Sequence, residues 1–243
     1  MFYSLLRLNL PHPDRQQDPE GGLVFDFLED TVQSDGNVVA ATTGHEEGVI
    51  AIRAAEADGA TRELVRTSMN EPYRTLLGHF RHEAGHFIWN KLVRDRHGLD
   101  AFRAIFGDER QDYATALQNH YANGAPSGWQ DNFISAYAAA HPWEDFAECF
   151  AHYLHIVDTL ETAHAFGIAI DPRGHGEMAA EVDFNPYRAR NARQLVSAWI
   201  PLSVAINAIQ RSIGQPDSYP FVLSSPVVDK LEYVHRLVQQ RGS

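Results

Sequence analysis

LLGHFRHEAGHFIWNKL, from Leu76 to Leu92, contains the pattern His82-Glu83-Ala84-Gly85-His86, an H-E-x-x-H motif. Side chains four residues apart lie on the same face of an α-helix, one turn above each other. This spacing lets the imidazoles of His82 and His86 reach one tetrahedral Zn²⁺ ion. Glu83 points slightly away from that axis, where its carboxylate can hold a zinc-bound water. The stretch therefore predicts a helix that carries a metal site suited to peptide hydrolysis.

The surrounding residues predict a buried helix over residues 71–94. Its apolar side chains recur at three- and four-residue spacing, namely Phe80, Phe87, Ile88, Leu92 and Val93. The run Asn70-Glu71-Pro72 predicts the helix start. Gly78 and Gly85 each cost about 1 kcal/mol relative to alanine in a helix interior. Such glycines suggest close approach by another backbone, and we expect the N-terminal sheet to be that neighbour. A helix with two histidines and no metal is the alternative.

A second stretch, from Phe133 to Leu160, reads FISAYAAAHPWEDFAECFAHYLHIVDTL and predicts a helix over residues 143–165. Pro142 suits the first turn of such a helix. One of its faces carries Glu144, Glu148, His152 and Ile156. A polar line on an apolar helix is costly to bury without a partner, and a zinc ion bound to the motif histidines would be that partner. A solvated face with ordinary contacts is the alternative.

The N-terminal part of the chain predicts little helix. Pro11, Pro13, Pro19 and the pair Gly21-Gly22 indicate an irregular, extended segment over residues 1–22. Three strands are predicted at 23–28, 38–43 and 49–53, with a turn at 44–48. They form a small antiparallel sheet over residues 23–53. The exposed edge of this sheet could bind an extended peptide by strand addition. We interpret His45 as a polar residue at the hairpin tip rather than as a metal ligand.

The rest of the chain predicts short helices, a loop and a helical C-terminal part. The expected helices cover residues 61–68, 99–106 and 112–121, and further helices cover 188–240 with a kink at Pro201. The segment 171–187 is rich in loop residues and is a candidate rim or lid of the cleft. His175 and Glu177 within it are interpreted as polar loop residues. No repeat or linker interrupts the chain, so we predict a single domain over residues 1–243 of the α+β class, mostly α.

Composition excludes several classes of protein. The net charge of −12 argues against nucleic acid or an anionic membrane as the main partner. No run of 18 apolar residues predicts a transmembrane span, and the N-terminus is too short and polar for a signal peptide. The single cysteine, Cys149, rules out an internal disulfide framework and is interpreted as a small core residue. A reducing, cytoplasmic location fits these features.

Two stretches together, 71–89 and 136–163, resemble the bacterial putative zinc-binding metallopeptidase family, of the zincin, gluzincin-like type. H-E-x-x-H alone is shared by many zincins, whereas its pairing with WEDFAE is much more specific. The resemblance covers most of the chain and implies a zincin-like metalloprotease domain with one catalytic Zn²⁺. Members of this family often carry an N-terminal cysteine-rich zinc ribbon, and a chain with one cysteine departs from that pattern.

The segment EDFAECF also resembles the glutamate helix of anthrax lethal factor, another gluzincin. This resemblance implies that Glu144 is the third zinc ligand and that Glu148 is an outer carboxylate supporting a ligand histidine. It also implies that Tyr137, seven residues before the ligand glutamate, polarises the substrate carbonyl. The alternative assignment exchanges the two glutamates, and the alternative for Tyr137 is a role in packing.

We therefore expect a zinc metallopeptidase that hydrolyses peptide bonds with a zinc-activated water and Glu83 as general base. Its partner would be a peptide or protein substrate lying as an added strand on the hairpin edge. A zinc-dependent amidohydrolase acting on a non-peptide amide is one alternative. A non-catalytic zinc-containing peptide-binding module and a metal-free helical scaffold are the others. The sequence does not indicate the substrate, endo- or exopeptidase action, or the oligomeric state.

Overall fold

The computed structural model describes residues 1–68 and 71–240, which are mostly helical with small sheets. The helices are α1 (Phe2–Arg7), α2 (Gly59–Ser68), α3 (Leu76–Trp89), α4 (Leu99–Phe106), α5 (Tyr113–Asn123), α6 (Pro142–Ala165), α7 (Ala192–Ser212) and α8 (Ser225–Gln239). The strands are β1 (Val24–Leu28), β2 (Thr31–Val32), β3 (Val38–Val39), β4 (Gly44–Glu46), β5 (Val49–Arg53), β6 (Ala169–Ile170) and β7 (Ala180–Glu181). The predicted α+β class with a predominance of helix is confirmed.

The N-terminal sheet has the strand order β1-β5-β4, and its pairing differs from the prediction. Strand β4 pairs with β5 in the antiparallel sense, but β1 runs parallel to β5. The turn is only Glu47-Gly48, where both residues have positive φ, as a tight two-residue hairpin requires. Residues 44–46, predicted as part of the turn, therefore form a strand, and β3 pairs with β2 in a separate antiparallel ribbon. The prediction of a purely antiparallel sheet was wrong.

The first 22 residues are not extended throughout, because they begin with helix α1. Leu5, Leu8 and Leu10 are buried in the hydrophobic core. On the same helix, the Tyr3 hydroxyl donates to Glu161 Oε1 over 2.8 Å, and the Ser4 hydroxyl donates to Asp158 Oδ2 over 2.7 Å. Apolar burial and hydrogen bonds to α6 thus order α1. The prolines of the first 22 residues all follow this helix.

Helix α3 begins later than predicted. Its N-cap is Thr75, whose hydroxyl accepts a hydrogen bond from the Gly78 amide over 2.9 Å. The predicted start at Asn70 lies outside the described residues, and Pro72 precedes the helix. Arg74 pairs with Glu56 over 2.6 Å, which holds the segment before the cap against the end of the sheet. The α-helix ends at Trp89 and continues as a π-helical turn over Asn90–Arg94.

Helices α3 and α6 pack directly on each other, and Gly85 is the point of closest approach. A Cβ atom added at Gly85 would lie 2.9 Å from Ala147 Cα and 3.1 Å from Ala147 O. The close backbone approach predicted from this glycine therefore exists, but the neighbour is α6 rather than the sheet. At Gly78 the nearest atom is the Thr75 hydroxyl, at 3.0 Å, so no second backbone approaches there.

Helix α6 is the centre of the core. It starts at Pro142, as predicted, and His141 caps it by accepting a hydrogen bond from the Trp143 amide over 3.1 Å. The fully buried side chains of α6 include Phe146, Phe150, Tyr153, Leu154 and Val157. Helices α7 and α8 pack on its far side, away from α3. No helix in the described ranges is long and apolar enough to cross a membrane.

The segment 171–187 packs on α7 instead of covering the motif helix. Strands β6 and β7 pair in a short antiparallel ribbon that contacts α7. Together the ribbon, its following residues and α7 line a surface cavity of about 510 Å³. His175 and Glu177 are exposed and lie 3.2 Å apart. The described contacts therefore give no support to the predicted lid.

Candidate metal centre

Helices α3 and α6 bring two histidines and one glutamate together. Glu144 Oε2 lies 2.9 Å from His82 Nε2 and 3.4 Å from His86 Nε2. All three ligand atoms lie within 4.8 Å of one another. Ligand atoms of a tetrahedral zinc ion with bonds of 2.0–2.1 Å are about 3.3 Å apart. The two distances from Glu144 are close to that value, so the group can hold a metal ion.

The electrostatics of the group favour a positive charge beside the Glu144 and Glu148 carboxylates. Burial alone would lower the pKa of His82, but its hydrogen bonds with Glu144 and Glu148 raise that pKa well above the usual value. Burial alone would raise the pKa of Glu144, but the neighbouring His86 and His82 lower it well below the usual value. The carboxylates therefore stay ionised and require a positive charge beside them. Either a proton on His82 or a metal cation can supply it.

Glu148 lies behind His82 and contacts only the outer nitrogen of its ring. Its Oε1 accepts a hydrogen bond from His82 Nδ1 over 2.8 Å, and its Oε2 accepts one from the Ser135 hydroxyl over 2.5 Å. The bond to His82 lowers the pKa of Glu148 to about 2, although burial alone would raise it. A carboxylate in this position keeps the proton on Nδ1 and leaves the Nε2 lone pair for a metal.

Glu83 lies beside the group with its carboxylate uncommitted. The residue is buried to 8% exposure on α3. Within the described part of the chain it makes no hydrogen bond or ion pair, and its charge is one of those that raise the pKa of Tyr113. A free carboxylate next to two histidines that could hold a metal ion is placed to accept a proton.

Tyr113 is a site residue that the sequence did not reveal. It is the first residue of α5, whose N-cap Asp112 accepts a hydrogen bond from the Thr115 amide. Its hydroxyl donates to Glu144 Oε1 over 2.5 Å, across 31 residues of sequence. The helix start was predictable, but no spacing links this tyrosine to either motif. Sequence alone therefore gave no signal for its place in the site.

Tyr137 also lies near the group, but it contacts a different side of it. It begins the 3₁₀ turn Tyr137–Ala140, and its ring centroid is 5.8 Å from that of His82. Burial and the charge of Glu144 raise its pKa. The structure thus places two tyrosines at the site, and Tyr113 is the one hydrogen-bonded to Glu144.

His152 and Cys149 share α6 with the glutamates but lie outside the group. His152 Nδ1 is 2.8 Å from the Tyr219 hydroxyl, and burial lowers the pKa of His152 to about 4. The sulfur of Cys149 is fully buried, 3.6 Å from Asp145 Oδ1. Of the polar line predicted on this helix, only the two glutamates contact a motif histidine, and Cys149 is a core residue as expected.

His45 is not a polar residue at a hairpin tip, and that prediction was wrong. It lies in strand β4, where its ring packs 6.3 Å from the His86 ring and 6.2 Å from the Phe87 ring. Burial is the main cause that lowers the pKa of His45 to about 3, so the ring is neutral. Its Nε2 accepts a hydrogen bond from the Gly48 amide over 3.1 Å, which closes the turn.

Two histidines and a carboxylate on two packed helices are donor types that bind zinc in catalytic sites. The chain belongs to the putative zinc-binding metallo-peptidase family, whose family model matches residues 1–237. The resemblance to the putative zinc-binding metallopeptidase family is therefore confirmed. Two imidazole nitrogens and one carboxylate oxygen at this spacing fit a zinc ion, and the family is described as zinc-binding.

Curated relatives come from mycobacteria. One protein of Mycobacterium bovis and two of Mycobacterium tuberculosis strains are each 43% identical over 241 residues. The match covers 99% of this chain and 67% of each relative, and each relative is named as an uncharacterized protein. No solved structure matches the chain.

Proposed function

We propose that this protein is a zinc-dependent peptidase of the zincin type, with Zn²⁺ held by His82, His86 and Glu144. The observation that carries the proposal is the position of Glu144 Oε2, which faces the Nε2 atoms of both motif histidines. A bound zinc ion would supply a Lewis acid that lowers the pKa of water to about 7. The membership of the chain in a family described as zinc-binding metallo-peptidases supports this choice of metal and reaction.

Each neighbouring residue has a defined task in this proposal. Glu83 accepts the proton of the attacking water and returns it to the leaving amine, since its carboxylate has no other partner in the described ranges. Glu148 holds His82 in the tautomer whose Nε2 can bind metal. Tyr113 and Tyr137 are the two hydroxyls near enough to stabilise the oxyanion of the substrate carbonyl, and Tyr113 has the closer contact with Glu144.

The substrate in this proposal is an extended peptide paired with strand β4. This strand lies at the edge of its sheet and contacts α3, so a peptide added there would pass beside the metal group. A cytoplasmic location remains a prediction from composition.

Replacing Glu83 with glutamine tests the proposed reaction. The change keeps the shape of the side chain but removes the base, so we expect zinc to stay bound and peptide hydrolysis to fall by at least about 100-fold. Zinc content is measured by elemental analysis, and hydrolysis by release of fluorescence from a mixture of quenched peptides.

Glu177→Gln is the matched control, because Glu177 is an exposed residue of the β6–β7 ribbon region. It should behave as the wild type in both measurements. Retained hydrolysis in Glu83→Gln would refute the role of this residue. Zinc binding without hydrolysis in the wild type would instead favour a zinc-containing peptide-binding module.

A further inference from the structure

A cleft of about 360 Å³ opens beside the metal group, between strand β4, the end of α3 and the start of α5. It shares two of its walls with the site. The Trp143 ring packs 3.8 Å from the His86 ring, and the Tyr113 hydroxyl bonds to Glu144. A side chain that enters this cleft therefore lies next to the proposed reaction centre.

The interior of the cleft is aromatic. The rings of Trp89 and Trp143 are 6.2 Å apart at 71°, and those of Tyr113 and Trp143 are 5.6 Å apart at 75°. Rings in such edge-to-face contact form one continuous aromatic wall of the cleft. The faces of such rings attract a cation as well as the methylene groups that carry it.

The rim of the cleft carries an excess of negative charge. Of its charged residues, Arg94 is 3.3 Å from Glu47, and Glu109 is bound to Arg103 over 2.9 Å. The side chain of Glu46 has no hydrogen bond or ion pair in the part of the chain that the structure describes. The rim thus holds one carboxylate without a compensating charge.

We propose that this cleft binds a basic side chain, arginine or lysine, of the substrate residue next to the cleaved bond. This inference rests on the proposed peptidase function and names its substrate class. The aliphatic stem packs along the aromatic wall of Trp89 and Trp143, and the cationic head lies against the exposed ring surface and the Glu46 carboxylate. Because Glu46 is in the edge strand β4, a peptide paired with that strand brings alternate side chains past the cleft. An acidic side chain would be repelled by the same carboxylate.

Binding to the metal-free protein tests the inference without any hydrolysis. The probes are acetyl-Ala-Arg-Ala-amide and the same peptide with norleucine or glutamate in the central position. Intrinsic fluorescence reports binding, since Trp89 and Trp143 line the cleft. We expect the arginine peptide to bind about five-fold more tightly than the norleucine peptide, as a cation over aromatic rings with one carboxylate predicts. The glutamate peptide should bind most weakly.

Glu46→Gln separates the charge from the shape of the cleft. The residue is exposed, so the substitution does not threaten folding, and we expect the preference for arginine over norleucine to fall to about two-fold. Glu177→Gln, which lies away from the cleft, should keep the full preference. Equal binding of the arginine and norleucine peptides, an unchanged preference in Glu46→Gln, or no binding of any probe would each overturn the inference.

Cleavage of quenched peptides by the zinc-loaded wild type distinguishes this inference from the proposed function. The peptides carry arginine, norleucine or glutamate at each position in turn around a central bond. Binding that favours arginine without cleavage of any peptide would leave the cleft assignment standing and refute the peptidase. Cleavage with no preference for a basic residue at any position would leave the peptidase standing and refute the cleft assignment.

Discussion

Glu144 and Glu148 are one helical turn apart on α6, yet they have different partners. Glu144 faces the Nε2 atoms of two histidines, whereas Glu148 contacts Nδ1 of one histidine and a serine hydroxyl. Removing a residue that binds the metal directly should weaken zinc binding more than removing a residue that only orients a ligand. The two glutamates should therefore differ in how strongly they affect zinc binding.

We predict that Glu144→Ala loses the zinc and that Glu148→Ala keeps it with about 10- to 100-fold lower affinity. Elemental analysis of the purified wild type should give about one zinc ion per chain. A competition titration with a chelator then compares the two variants. The reverse order of affinities would exchange the roles of the two glutamates and leave the rest of the mechanism in place.

A second test at this scale compares the two tyrosines. We predict that Tyr113→Phe lowers kcat about 100-fold while zinc content stays that of the wild type, because a hydroxyl that stabilises an oxyanion contributes about that much. Tyr137→Phe should have a smaller effect, since Tyr113 is the tyrosine whose hydroxyl is hydrogen-bonded to Glu144. Loss of zinc together with activity in Tyr113→Phe would mean that the hydroxyl only holds Glu144 in place. A larger effect of Tyr137→Phe would restore the role that the resemblance implied.

The sequence could predict the part of the site that depends on helical spacing. The four-residue separation of His82 and His86 places both on one face of α3. The same separation places Glu144 and Glu148 on one face of α6. Tyr113 could not be predicted, because it reaches the site through the packing of α5 and not through any local period. His45 was misjudged for a related reason, since its burial depends on the helix beneath the strand and not on the turn sequence beside it.

At the scale of elements, the site exists because α3 and α6 touch at Gly85 and Ala147. We predict that Gly85→Ala lowers the free energy of unfolding by up to about 2 kcal/mol. Alanine gains about 1 kcal/mol of helix propensity, but its Cβ would lie 2.9 Å from the Ala147 backbone, and such overpacking costs about 1–3 kcal/mol. Separation of the helices should also weaken zinc binding. Urea unfolding and a zinc titration measure the two effects.

Gly59→Ala is the control for this prediction, since only the end of the Arg62 side chain, at 4.0 Å, approaches its added Cβ. It should keep or slightly raise the stability of the wild type. A Gly85→Ala protein as stable as Gly59→Ala would show that the helix contact can yield without cost.

The same contrast, between features set by nearby residues and features set by contacts of distant segments, explains which parts of the fold could be predicted. Apolar periods predicted α3, α6 and the C-terminal helices, because each buries one face in a common core. The parallel pairing of β1 with β5 was not predictable, since it depends on residues 29–43 leaving the sheet to form their own ribbon. Helix α1 was missed because prolines that follow it dominated the composition of the first 22 residues.

At the scale of the whole molecule, a buried ion pair joins the C-terminal helix to the site. Lys230 on α8 lies 2.6 Å from Asp145 on α6 and donates to the Asn132 carbonyl over 2.6 Å. Asp145 immediately follows Glu144, and Asn132 is just upstream of Ser135, which holds Glu148. Despite the neighbouring lysine, burial raises the pKa of Asp145 to about 6, so desolvation outweighs the attraction of the pair.

This balance predicts that replacing Lys230 alone lowers the stability and that replacing Asp145 as well restores part of it. Lys230→Met leaves a buried carboxylate without its partner and should lower the free energy of unfolding by about 3–5 kcal/mol. It should also weaken zinc binding, because α6 and the loop before it lose their common anchor. Adding Asp145→Ala removes the unpaired charge and should recover at least about half of that loss, because the pair itself contributes little net stability. Urea unfolding of both variants, with and without zinc, measures these differences. If the double variant is no more stable than Lys230→Met, the lysine acts mainly through the Asn132 carbonyl, and the link between the C-terminal helix and the site runs through the loop rather than through α6.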